Sequence, residues 1–208
     1  MDDKKIIFCI LGKSSVGKDT LINSITTLNN DLSKVIPTTT RPPRRYEKNG
    51  RDYYFIDRKF FMKKVDNGQF MEHRKYDVID KSGKPDSWFY GTKFPKSQVS
   101  ILTGPLTMYK MIISNPDIKD YNVYPIYLTV PDDERLYRMI MRENKNHNPN
   151  YREVARRFVS DNIDFSDENM KSIGINKTNT FLNIDINVVT DEINNYIKEI
   201  LNNWKVGL

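Results

Sequence analysis

The chain has 208 residues, 38% hydrophobic and 12% aromatic, with a net charge of +6. That is enough apolar material for one domain with a sizeable core, and it excludes a disordered polyelectrolyte. No run approaches the 18 or so apolar residues of a membrane span, and "MDDKK" is not a signal-peptide start. The one cysteine, Cys9, lies inside the apolar run "IIFCI". It is expected to be a small core residue, no internal disulfide can form, and a cytoplasmic protein is expected.

In chain order, "IIFCIL" (6–11) is a short apolar run ending at Gly12, which predicts a buried parallel strand. "DTLINSITTLNN" (19–30) follows, with Leu21, Ile22, Ile25 and Leu28 at helical spacing. "GRDYYFI", "QFMEHRKY" and "SWFYGT" are short, aromatic and turn-bounded, as in a small, largely antiparallel sheet. "VSILTG" (99–104) and "VYPIYLTV" (123–130) predict further buried strands. The second leads into a helix, "PDDERLYRMIM", with an acidic first turn. "NKNHNPN" (144–150) is the most polar stretch and predicts an exposed, mobile loop. "NTFLNID" and "TDEINNYIKEILNNW" predict a last strand and a C-terminal helix. The expectation is an α/β fold, a doubly wound, mostly parallel sheet with a small mixed β insertion and a helical lid.

The positive charge calls for anionic partners. The arginines are spread over "TTTRPPRR", "ERLYRMIMRE" and "YREVARRF", not gathered in one basic tail. That distribution favours small-molecule nucleotides over nucleic acid or a membrane surface.

"LGKSSVGKDTL" (11–21) has the Gly, four residues, Gly, Lys spacing of a phosphate-binding loop, between a predicted strand and a predicted helix. Such a turn aims backbone N–H groups and the helix dipole at one point, and Lys18 adds a charge for the terminal phosphates. Gly12, Lys13, Ser14, Ser15, Val16, Gly17, Lys18, Asp19 and Thr20 are therefore expected to bind the phosphates of a nucleotide. Asp19 stands where such loops usually carry Ser or Thr. A carboxylate there would repel phosphates unless a cation lay between them, so Asp19 is expected to be a magnesium ligand.

"TTTRPPRRYEKNGRDYYFI", followed by "GQFMEH", closely resembles the substrate segment of the guanylate kinases, a family of P-loop nucleoside monophosphate kinases. The resemblance runs from residue 6 to about 196 and is strongest through 75. It implies ATP as phosphate donor, Mg2+ as cofactor, and GMP as acceptor. It also implies a core of residues 1–36, 97–135 and 165–208, an insertion at 37–96 and a lid at about 136–164. Arg41, Arg44 and Tyr53 would hold the GMP phosphate, Glu72 would read the base, and Tyr90 with Thr92 would complete the pocket. Two arginine forks suit a phosphate dianion. A carboxylate accepts the adjacent N–H and amino donors of guanine but faces an acceptor in adenine.

Arg135, Arg138 and Arg142 are spaced by three and four, which predicts one helix face. Arg138, Arg142 and Arg157 match family arginines that close over ATP, and with Lys18 and Arg41 they are the expected catalytic set; Arg135 and Arg156 match less well. Asn183 matches an adenine-contacting asparagine. Three departures stand out. Pro37 replaces a guanine-bonding serine, Thr103 and Pro105 replace two aspartates, and "VIDKSGKPDSW" lengthens a hairpin. The loop "GKDT" resembles that of phage-type deoxynucleoside monophosphate kinases, so another monophosphate is the alternative acceptor. A guanylate-kinase-like interaction module, which keeps the fold without a working P-loop, is a further alternative. The sequence does not set the oligomeric state.

Overall fold

The computed structural model describes residues 4–44, 46–79, 84–147 and 149–206. The tip of the lengthened hairpin (80–83) and position 148 of the polar loop lie outside the described residues.

Strand β1 (Lys5–Leu11) is buried on both faces, which is why its sequence is a continuous apolar run and not an alternating one. Ile6, Phe8 and Ile10 face one core, and Ile7, Cys9 and Leu11 face the other. Burial pushes the Cys9 thiol far above its ordinary value, so it stays a protonated core group. The first core is covered by α1 (Lys18–Leu28) and α7 (Ile186–Val206), and the second by α3 (Leu106–Ile113). Leu21, Ile22 and Ile25 are buried as the spacing predicts, but Leu28 is 58% exposed. It is the last helical residue before Asn29 turns extended, where the helix ends.

The main sheet runs β2 (Ser33–Lys34), β7 (Val99–Gly104), β1, β8 (Tyr121–Thr129), β9 (Thr180–Leu182), with every pairing parallel. The chain leaves β1 toward β7 and later returns to its other side at β8. The crevice at the carboxyl end of β1 is therefore a topological switch point, where α/β sheets bind ligands. The C-terminal helix starts earlier than its periodicity suggests, because Asp185 Oδ1 accepts the N–H groups of Asn187 and Val188.

The second sheet runs β4 (Tyr54–Phe55), β3 (Thr38–Thr39), β6 (Pro85–Lys93), β5 (Phe70–Ile79). β5 and β6 form a long antiparallel hairpin, while β3 and β4 pair in parallel, so the sheet is mixed. Helix α2 (Arg58–Asp66) packs Phe61 against Phe70 and Phe89 beneath it. Helices α4 (Asp132–Glu143) and α5 (Tyr151–Asp164) pack against each other beside the crevice, and α6 (Asp167–Lys171) follows. Among the described residues no helix is long and apolar enough to cross a membrane.

Candidate active site

The phosphate loop takes the turn its glycines allow. A Cβ on Gly12 would collide with the Leu128 carbonyl oxygen, and one on Gly17, at φ 98°, with the Asn183 side chain. Ser15 sits at φ 65°, the one non-glycine residue described with positive φ, and its Oγ is buried without a partner among the described residues. Lys18 Nζ donates to the carbonyls of Gly12 (2.7 Å) and Lys13 (2.8 Å), folding back over the turn. Burial lowers its ammonium to about 8; Asp19 and Asp161 oppose that shift, and Arg142 and Arg135 add to it. Asp19 and Thr20 are exposed in the first turn of α1.

Asn183, expected against adenine, donates its side-chain amide to the Val16 carbonyl at 2.7 Å and is buried. In this structure its amide holds the loop onto the end of β9. The other side of the loop is held by α5, where Asp161 Oδ2 accepts the Ser14 N–H at 2.7 Å and Asn162 Oδ1 accepts from Lys13 Nζ at 2.6 Å.

Helix α4 separates its arginines by function. Arg135 is wholly buried, with its guanidinium 4.0 Å from the Phe158 ring centroid. It donates to Asp132 (3.0 Å), Asp161 (3.2 Å) and Asn162 (2.8 Å), and so fastens α5 to α4 and, through Asp161, to the loop. Arg138 is held by Glu134 (2.7 Å) and the Asn183 carbonyl (3.1 Å). Arg157 is held by Glu153 at 2.6 Å. Arg142 forms no ion pair among the described residues. Desolvation, then the charges of Arg157 and Arg44, push its guanidinium below its ordinary value.

On the insertion, Arg41 is buried and grips Glu47 through Nη2, at 2.7 and 2.9 Å to the two carboxylate oxygens. Burial opposes its charge, but Glu47 and Tyr90 outweigh that and raise its value. Its guanidinium lies 5.5 Å from the Tyr53 ring centroid, and Tyr53 meets Tyr90 edge-on. Arg44 is exposed. Glu72 is buried, accepting from Thr92 Oγ1 (2.5 Å) and Arg74 Nε (2.8 Å). Pro37 uses its carbonyl to accept the Tyr54 N–H, Thr103 pairs with Ile10 in the sheet, and Pro105 caps α3.

These parts meet in a cavity of about 670 Å³, lined by Ser14, Ser15, Gly17, Lys18, Asp19 and Thr20 of the loop and first turn. Arg44 of the insertion, Arg138, Arg142 and Arg157 of the helices, and Asn183, Ile184 and Ile186 complete it. Asp19 is the one carboxylate residue lining it. Arg41, Tyr53, Glu72, Tyr90 and Thr92 cluster apart from it on the insertion. Sequence reasoning missed Glu47, although it is the glutamate of the quoted motif, and Arg74, whose place two residues after Glu72 put both on one strand face. It also missed Asp161 and Asn162, which carry no local signal. A second hollow, on the outer side of α5, is lined by Ala155, Arg156, Val159, Ser160 and Ile163 and gathers no such convergence of charge.

The parallel sheet with its phosphate loop at the switch point defines a P-loop kinase fold. A family model described as guanylate kinase matches residues 4–83. The chain is 36% identical over 98 residues to a guanylate kinase of Prochlorococcus marinus, covering 47% of this chain and 48% of that one. It is 30% identical over 140 residues to a guanylate kinase of Bacteroides thetaiotaomicron, covering 65% and 64%. It is also 29% identical over 154 residues to Protein PALS1 of Danio rerio, covering 71% of this chain but 21% of that protein. The chain thus spans less than two thirds of each of these relatives. A crystal structure of guanylate kinase from Anaplasma phagocytophilum superposes with a TM-score of 0.62 at 20% identity, covering 95% of this chain and 86% of that one. These findings support membership of the guanylate kinase family.

Proposed function

We propose that this chain phosphorylates GMP to GDP with ATP as donor. The observation that carries the reading is the cavity in which the phosphate loop faces Arg44 from the insertion and Arg138, Arg142 and Arg157 from the helices. A cluster of cations with one free guanidinium and one carboxylate is poised for a polyanion shared between two nucleotides. In this reading residues 37–96 hold the acceptor, about 136–164 form the lid, and the remainder is the core.

Phosphoryl transfer needs alignment and charge neutralisation more than covalent chemistry. Backbone N–H groups of the loop and Lys18 would cradle the β- and γ-phosphates of ATP. Arg41, Arg44 and Tyr53 would hold the GMP phosphate in line, and Arg138, Arg142 and Arg157 would neutralise the group in flight. Among the described residues no cluster of three acidic or metal-ligating side chains exists. Asp19 would hold a magnesium ion beside the phosphates, where the ion would supply charge neutralisation.

The departures at Pro37, Thr103 and Pro105 favour a second acceptor reading, another deoxy- or ribonucleoside monophosphate. The match to PALS1 supports a non-catalytic guanylate-kinase-like module, against which stands the intact Gly12, Gly17 and Lys18 set. A coupled assay with ATP against GMP, dGMP, AMP, CMP, UMP and TMP tests all three. GMP is expected to lead. Turnover of another monophosphate alone would replace the acceptor, and no turnover with any would point to the module.

A further inference from the structure

Strand β5 carries Glu72, Arg74 and Tyr76 on one face, by the two-residue period of a strand. Opposite them on β6 stand Thr92, Tyr90 and Trp88. Tyr90 also touches Arg41 and Tyr53, so this face of the hairpin runs continuously from the phosphate clamp to Glu72. At its far end Glu72 is sealed. Its side chain has no exposed surface, with Thr92 on one oxygen and Arg74 Nε on the other. The Arg74 side chain is 11% exposed, so the surface that this ion pair presents is a guanidinium rather than a bare carboxylate.

That guanidinium has donors to spare. Of five N–H groups, among the described residues Nε–H serves Glu72, and one on Nη1 reaches the Tyr76 hydroxyl at 3.3 Å. The remaining three are held by a fork whose orientation Glu72 and the Tyr76 ring, 5.9 Å from it, both fix. An arginine fork pairs with two adjacent acceptors. The O6 and N7 edge of guanine presents that pair, whereas adenine puts an amino donor beside N7.

We propose that Arg74 is a specificity-determining residue that reads the O6/N7 edge of guanine, while Glu72 orients it. This inference rests on GMP being the acceptor. Arg74 then rejects adenine because an amino donor stands where guanine has O6.

The test compares kcat/KM for GMP and for 7-deaza-GMP, in which N7 is a C–H, in the wild type, Arg74→Ala and Arg74→Lys. Each ratio is taken within one enzyme, so partial misfolding cancels. The wild type is expected to prefer GMP by about tenfold or more, the value of one hydrogen bond from a charged donor. Arg74→Ala should bring the ratio to within about twofold of unity, and Arg74→Lys should restore part of it. A wild-type ratio near one, or a preference that persists in Arg74→Ala, would overturn the proposal and leave Arg74 a counter-ion for Glu72. Wild type that phosphorylates another monophosphate but not GMP would instead overturn the guanylate reading, and this proposal with it.

Discussion

Lys18 offers the sharpest link between structure and rate. Its ammonium sits at about 8 in the folded chain, against 10.5 in an unfolded one, because burial removes water that two backbone carbonyls only partly replace. Transfer requires the charged form, so kcat/KM for ATP, which reports the free enzyme, should fall above pH 8 by about tenfold per pH unit. At pH 9 roughly a tenth of the unliganded Lys18 would be charged. Bound ATP places phosphates beside the ammonium and raises its value, so kcat should hold to higher pH than kcat/KM. The same group makes a stability prediction of definite sign. Its folded value lies below its unfolded value, so the unfolded chain binds more protons between pH 8 and 10.5. The cost to the folded state, about 3 kcal/mol below pH 8, is therefore relieved as pH rises through that window. Initial rates from pH 7 to 10 with ATP varied at saturating GMP, and thermal melts over the same range, check both. In Lys18→Met the lysine's share of that stability rise should vanish, and turnover should drop below a tenth of wild type. A flat kcat/KM through pH 9.5, or melts in which Lys18→Met changes nothing, would refute the reasoning.

Four further predictions follow from the site. Asp19→Asn and Asp19→Ser should raise the magnesium concentration for half-maximal rate, with serine the milder change; an unchanged requirement in both leaves Asp19 a helix-start residue. Arg135→Met removes the buried cation from Asp161, itself 18% exposed, and should cost about 2–3 kcal/mol and lower Tm by roughly 5–10 °C. Adding Asp161→Leu should recover part of the Tm but leave the KM for ATP raised, because the Ser14 N–H loses its partner; full recovery of both would show that the tie to the loop is idle. Ser15→Gly releases a left-handed residue and an unpartnered buried hydroxyl, and after the entropic cost of glycine it should raise stability by about 1–2 kcal/mol, read as a Tm increase. Amide exchange across residues 142–157 should slow when ATP and GMP bind together, and no protection there would place the closing segment elsewhere.

The sequence alone determined the features that are local in chain length. A strand buried on both faces must be an uninterrupted apolar run, and a phosphate loop needs its glycines and lysine at fixed offsets, so residues 6–18 were readable without coordinates. The alternation of strands and helices implied the parallel sheet, because each crossover leaves a helical pattern between apolar runs. What the tertiary structure decided was which charges are spent and which are free. Arg135, Arg138 and Arg142 share a helical spacing, yet the first is a buried post between Asp132, Asp161 and Asn162, the second is tied to Glu134, and the third faces the cavity with no ion pair among the described residues. Period alone cannot separate them, since the partners of Arg135 on α5 lie 26 and 27 residues away. The same holds for Glu72, whose sealing by Arg74 and Thr92 depends on a hairpin register that pairs positions 72 and 92. Spacing fixes which side chains share a face; the packing of one element against another fixes which of them keep their hydrogen bonds for a ligand.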